Sequence, residues 1–181
     1  MFALEFFQKF LYMMIIATVA TSLAGATVFS FYRVSRKPNF SLRIMNIPLL
    51  ALLTILVSFL SESKIASAFL FFFAYLHILR GLLGHLSKFD DTFRAFFLSM
   101  GYTRQDYLLN FLFKYGKWKI IDSILAYSVV TTSIIVGFSE LKRFVPDQII
   151  PISIILSVLF LIMCILNWIV ESVRNKLSNP D

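Results

Sequence analysis

Five long apolar runs take up most of this chain and leave it little choice of fold. They lie at about 10–32, 45–61, 65–82, 120–138 and 149–170. Each comes near the ~20 residues a helix needs to cross ~30 Å of hydrocarbon, the third only marginally. The hydrophobic share, 59% of residues with 21 phenylalanines, exceeds the roughly 45–50% of soluble chains. The expected fold is therefore all-α: one polytopic membrane domain over residues 1–181 with about five transmembrane helices. The first run contains LAGA at 23–26, which resembles a signal-peptide cleavage site. Its apolar stretch is too long for that role and Lys9 is offset by Glu5, so a retained helix is expected.

The charges then orient the bundle. Of the 17 Lys and Arg residues, 13 fall in 33–44, at Arg80, in 83–119 or in the 171–181 tail. Basic residues are retained on the cytoplasmic side, which places these segments inside the cell and the N-terminus outside. The net charge of +7 is explained by this orientation. Spread over three cytoplasmic segments, the basic residues make no nucleic-acid footprint, so membrane lipid is the expected surrounding and nucleic acid is not a partner.

Few residues suggest chemistry. Cys164 is alone within an apolar run and is read as a small hydrophobe. His77 and His85 lack a third ligand, so no metal is expected. No run carries a nucleophile and base together, which argues against an intramembrane enzyme, and no charge lies mid-membrane to suggest proton coupling. The fourth run is rich in hydroxyls: Ser123, Ser128, Thr131, Thr132 and Ser133. Such groups often bond only their own helix or a neighbour, but they are also the candidates for a polar pathway, together with Ser58, Ser61 and the terminal Glu140. Asp122 suits the start of the fourth helix.

The segment between runs three and four is different in kind. Within 89–113, Phe93, Phe96, Phe97 and Met100 form one helical face, and Tyr107, Leu108, Phe111 and Leu112 form another. FDDT at 89–92 has the acidic character of a helix start. Gly101 is suited to end that helix in a left-handed conformation, and Thr103 to cap the next. The expectation is a helix–turn–helix on the cytoplasmic membrane surface.

These residues resemble the EAA loop of binding-protein-dependent ABC importer permeases. A-F-F-L-S-M-G-Y-T-R (95–104) keeps the loop's glycine as Gly101 and its Thr-Arg pair as Thr103 and Arg104. I-P-L-L-A-L-L (47–53), S-K-I-A (63–66) and the G-F-S-E-L ending 137–141 are similar to the core helices of the nitrate/sulfonate/taurine branch. The set extends over about residues 20–141. Ala95 stands where the family has Glu, Phe96 and Phe97 replace its two alanines, and Phe113 replaces its proline.

The resemblance implies a subunit without its own catalytic site or cofactor. ATP and Mg would be used by cytoplasmic ABC ATPase subunits docked on the coupling helix between spans three and four. Phe93, Phe96 and Phe97 are then the expected anchors, Gly101 and Thr103 the turn, and Arg104 a rim charge. Ser128, Thr131, Thr132 and Glu140 are the expected pathway residues. A second permease copy or a related permease, and an extracytoplasmic substrate-binding protein, complete the implied assembly in the cell membrane. The implied cargo is a small anion or a vitamin precursor. The alternative is a non-transporting scaffold that docks another soluble protein through 92–113.

Overall fold

The computed structural model describes residues 2–34, 45–59, 64–110, 114 and 116–178. Among these the chain is entirely helical, apart from short turns. The helices are α1 (Phe2–Val34), α2 (Ile47–Phe59), α3 (Lys64–Ser99), α4 (Arg104–Leu109), α5 (Lys117–Phe144) and α6 (Ile149–Ser178), with a 3-10 turn at Pro146–Gln148 before the last.

Four of these helices are long and apolar enough to cross a membrane: α1, the first part of α3, α5 and α6. The expected second span is the exception, because α2 has only 13 residues. At 1.5 Å per residue it is about 20 Å long, short of the hydrocarbon thickness. Its two ends are nevertheless tied to opposite ends of the bundle. Arg80 Nη1 donates to the Met45 carbonyl at 2.8 Å, and Lys142 Nζ donates to the Ser58 carbonyl at 3.1 Å. Asn46 starts α2 by accepting from the Leu49 amide at 2.9 Å, and Pro48 sits in the first turn, where its missing N–H costs nothing.

The core is built by close approach of α1, α3 and α5. Ala17, Ala20 and Ala24 form a fully buried stripe on α1, which lets neighbouring backbones come near, as small residues do between membrane helices. Gly81 plays the same part on α3, where a Cβ would come within 2.7 Å of Ser123 Oγ on α5. Tyr75 on α3 donates to Thr27 Oγ1 on α1 at 3.1 Å, and Tyr12 to Ser67 at 3.4 Å. These pairs advance together along both chains, so α1 and α3 run in parallel. The Gly81–Ser123 approach and the bond from Tyr127 to the Leu70 carbonyl (2.7 Å) run in opposite senses, so α5 is antiparallel to α3. The ends of α1 and α3 and the starts of α2 and α5 therefore share one end of the bundle.

Tyr127 is fully buried, and its phenol bonds across to a main-chain carbonyl of another helix. The Leu70 carbonyl is also a helix acceptor, so removing the phenol leaves no acceptor stranded. Tyr127→Phe should therefore cost only about 1 kcal/mol, read as a modest drop in thermal midpoint in mild detergent. A loss several times larger would mean that Tyr127 organises more than this bond.

α6 differs from the others. It packs mainly against α2, and its apolar side chains are exposed nearly all round, including Ile154, Val158, Leu161, Ile165 and Val170. A helix with mean hydropathy 3.0 and so little cover is at odds with water as its solvent, and lipid resolves the conflict. Trp118 near the start of α5 and Trp168 towards the end of α6 are both exposed at the bundle end already described, as interfacial tryptophans are.

Candidate functional site

The segment with the strongest sequence signal forms a hairpin. The expected helix start at FDDT is not a start, because α3 continues unbroken from Lys64 to Ser99. The physical reason is local: between Lys88 and Ser99 there is no glycine or proline to stop a helix already running. Thirty-six residues make a helix about 54 Å long, far more than the hydrocarbon thickness, so the span and the amphipathic segment form one continuous helix.

The stop comes at Gly101, whose φ of 85° lies in the left-handed region that glycine enters without strain. The Gly101 amide donates to the Leu98 carbonyl at 3.1 Å and the Tyr102 amide to that of Phe97 at 3.3 Å. This double bond pattern is the Schellman motif, and the Phe97–Tyr102 ring contact at 5.5 Å supplies its usual apolar partner. Thr103 then caps α4. Its hydroxyl accepts from the Asp106 amide at 3.2 Å, while the Asp106 carboxylate accepts from the Thr103 amide, also at 3.2 Å.

The turn sorts the aromatic residues into inward and outward sets. Phe97 is half-buried, its ring 5.7 Å from that of the buried Tyr107 and packed against the main apolar core. It packs α4 against α3, so less of its ring is turned outward than that of Phe96. Phe96 points outward at 54% exposure, Met100 at 60%, with Tyr102 beside them. Met100 and Tyr102 belong to the outward set and were not among the expected anchors. Met100 lies one turn beyond Phe96, and this i, i+4 spacing is the sequence signal that could have identified it. The side chains of Phe93, Arg104 and Leu108 lie outside the described residues, as do Phe111, Leu112, Phe113 and Ser61.

The hydroxyl face of α5 is placed differently. Ser128, Thr131 and Thr132 are fully buried among the helices. Ser128 donates to its own helix at the Ile124 carbonyl (2.8 Å), and Ser123 to that of Lys119 (2.9 Å). The Thr132 hydroxyl has no hydrogen-bond partner among the described residues, and Ser133 is exposed. Glu140 is half-buried near the opposite end of α5. These residues therefore line up along one helix without converging on a cavity with Glu140. Ser58 bonds the Thr54 carbonyl within α2. Cys164 is half-buried on α6, and among the described residues no three His, Cys, Asp or Glu side chains gather as a metal site.

A cleft with charged side chains in its wall lies elsewhere. Of about 840 Å³, it opens where α2 and α5 begin, lined by His77, Arg80, His85, Trp118, Lys119 and Asp122 among others. Sequence spacing did not group these residues, because they come from two helices joined only by tertiary packing. Compared with models of known families, with curated proteins and with solved structures, the chain finds no match.

Proposed function

We propose that this chain is the membrane subunit of an ATP-driven importer, and that the hairpin after α3 is its coupling element. The observation that carries this reading is the hairpin's construction. A continuous 36-residue helix ends in a glycine turn, one aromatic packs the turn internally, and Phe96 and Met100 are left exposed on the outside. Such an arrangement transmits a push: an ATPase gripping the exposed pair would move α3 as a rod, and through its packing α1 and α5. The subunit itself would do no chemistry, with ATP and Mg used by the partner.

On this reading the chain crosses the cell membrane five times, α2 included, with the N-terminus outside and the hairpin in the cytoplasm. Two copies, or this chain and a related one, would enclose the pathway, and an extracytoplasmic binding protein would deliver a small anion or vitamin precursor. Support for five crossings comes from α2 being held at both ends of the bundle and from the distribution of basic residues. The buried Thr131 and Thr132 hydroxyls would meet the pathway only once a second subunit or a different state opens that face.

The test uses a single probe. In a Cys164→Ser background, Met100→Cys should react with a membrane-impermeant maleimide from the cytoplasmic side only. Coexpression of the cognate ABC ATPase should protect it. Labelling from the outside would reverse the topology, and cytoplasmic labelling that no ATPase reduces would favour a scaffold for some other protein.

A further inference from the structure

The cleft between α3 and the start of α5 has no part in the coupling mechanism, yet its donors are those of an anion site. Arg80 projects into it while Nη1 holds the Met45 carbonyl. Lys119 contributes an ammonium steadied by Asp122 at 2.9 Å. Among the described residues no side chain caps Gly116 at the start of α5, which leaves the first amides of a 28-residue helix beside Trp118 and Lys119 for a ligand. The decisive feature is His77. It lines the cleft at only 7% exposure, and its Nδ1 has no hydrogen-bond partner among the described residues. Buried polar groups are normally satisfied, and the His77 ring forms part of the cleft wall, so a turn of the ring would bring this covered nitrogen to a ligand seated there.

We propose that this cleft binds a phosphate group, carried by a phospholipid headgroup or as free phosphate. A guanidinium, an ammonium, an imidazole nitrogen and an uncapped helix start together match the several oxygens of a phosphate. Asp122 also lines the cleft and would repel the ligand, but its side chain is mostly exposed. The anion therefore seats deeper, beside His77 and Arg80. Trp118, 71% exposed, stands at the rim where an acyl chain or glycerol would lie. Basic recesses at the ends of spanning helices are suited to anionic headgroups.

The test is lipid exchange on the full chain in mild detergent, followed by native mass spectrometry. The delipidated protein is offered equal phosphatidylglycerol and phosphatidylcholine, with and without inorganic phosphate. The wild type should retain phosphatidylglycerol about tenfold over phosphatidylcholine, and Lys119→Gln and His77→Phe should each erase most of that preference. Arg80→Gln should do the same, but it also releases the Met45 carbonyl. Lys119→Gln is therefore the cleaner variant, since Lys119 is half exposed and holds no main chain. Lys142→Gln, at the other end of the bundle, should leave the preference intact, and thermal midpoints identify any variant that fails to fold. If inorganic phosphate displaces the lipid from the wild type, or binds it alone, and does neither with Lys119→Gln, the occupant is soluble phosphate and the site stands. Equal retention of both lipids, with phosphate binding indifferent to Lys119 and His77, overturns the proposal.

Discussion

Gly81→Leu should unfold the bundle or leave it unable to pass as a monodisperse species in mild detergent. At this position α3 and α5 approach so closely that even a Cβ would lie 2.7 Å from Ser123 Oγ. A leucine adds three further carbons into the same contact, and overpacking of this kind costs about 1–3 kcal/mol or more even where neighbours adjust. Here the neighbour is a helix held along its length against α1, α2 and α3, so little adjustment is open to it. Gly81→Ala separates the two causes. The Ser123 hydroxyl bonds its own helix and is able to turn away, and the next nearest atom, Ser123 Cβ, is 3.7 Å from the new carbon. In a Ser123→Ala background the clash is gone, and the alanine should stabilise α3 by up to about 1 kcal/mol through helix propensity. Thermal midpoints of the three variants check the order: Gly81→Leu far below wild type, Gly81→Ala slightly below, and the double alanine at or above it. A stable, monodisperse Gly81→Leu protein would show that α3 and α5 do not pack as described.

What was legible in the sequence follows from how local its causes are. The apolar runs specify helices one at a time, so the all-helical architecture and the approximate positions of the apolar helices could be read directly. Gly101 and Thr103 act through bonds within a few residues, and the left-handed turn and the capping box lie where their chemistry requires. The acidic FDDT was misleading as a helix start because a dipole preference is worth only about 0.3–1 kcal/mol and does not interrupt a helix with no breaker in its path. Phe96 and Phe97 are adjacent in sequence and equal in hydrophobicity. Only the folding back of α4, which brings Tyr107 onto Phe97, decides that Phe97 is the more covered of the two and Phe96 the more exposed. The cleft was illegible for the same reason. His77 and His85 looked inert on their own helix, and their surroundings come from α5, some forty residues away in sequence.

Phe96→Asp should be the most damaging substitution for partner binding and a mild one for the fold. Its side chain is about half exposed and makes only an edge contact with Phe97, so the subunit tolerates the change in isolation. In a docked complex the same position would be buried in the partner's groove. An unpaired carboxylate there loses the aromatic anchor and suffers desolvation together, a loss of about 3 kcal/mol or more and hence over 100-fold in affinity. Met100→Asp should act alike, whereas Phe97→Asp should damage the hairpin itself, since its ring packs against Tyr102 and Tyr107. The three together separate anchor from scaffold. The direct measurement is copurification of the tagged full-length chain, in mild detergent, with the proteins that crosslink through a cysteine at Met100. The coupling account predicts capture of a nucleotide-binding ABC ATPase, lost on Phe96→Asp while the subunit still elutes as folded protein. Capture of no ATPase, or of one that Phe96→Asp leaves bound, would contradict it.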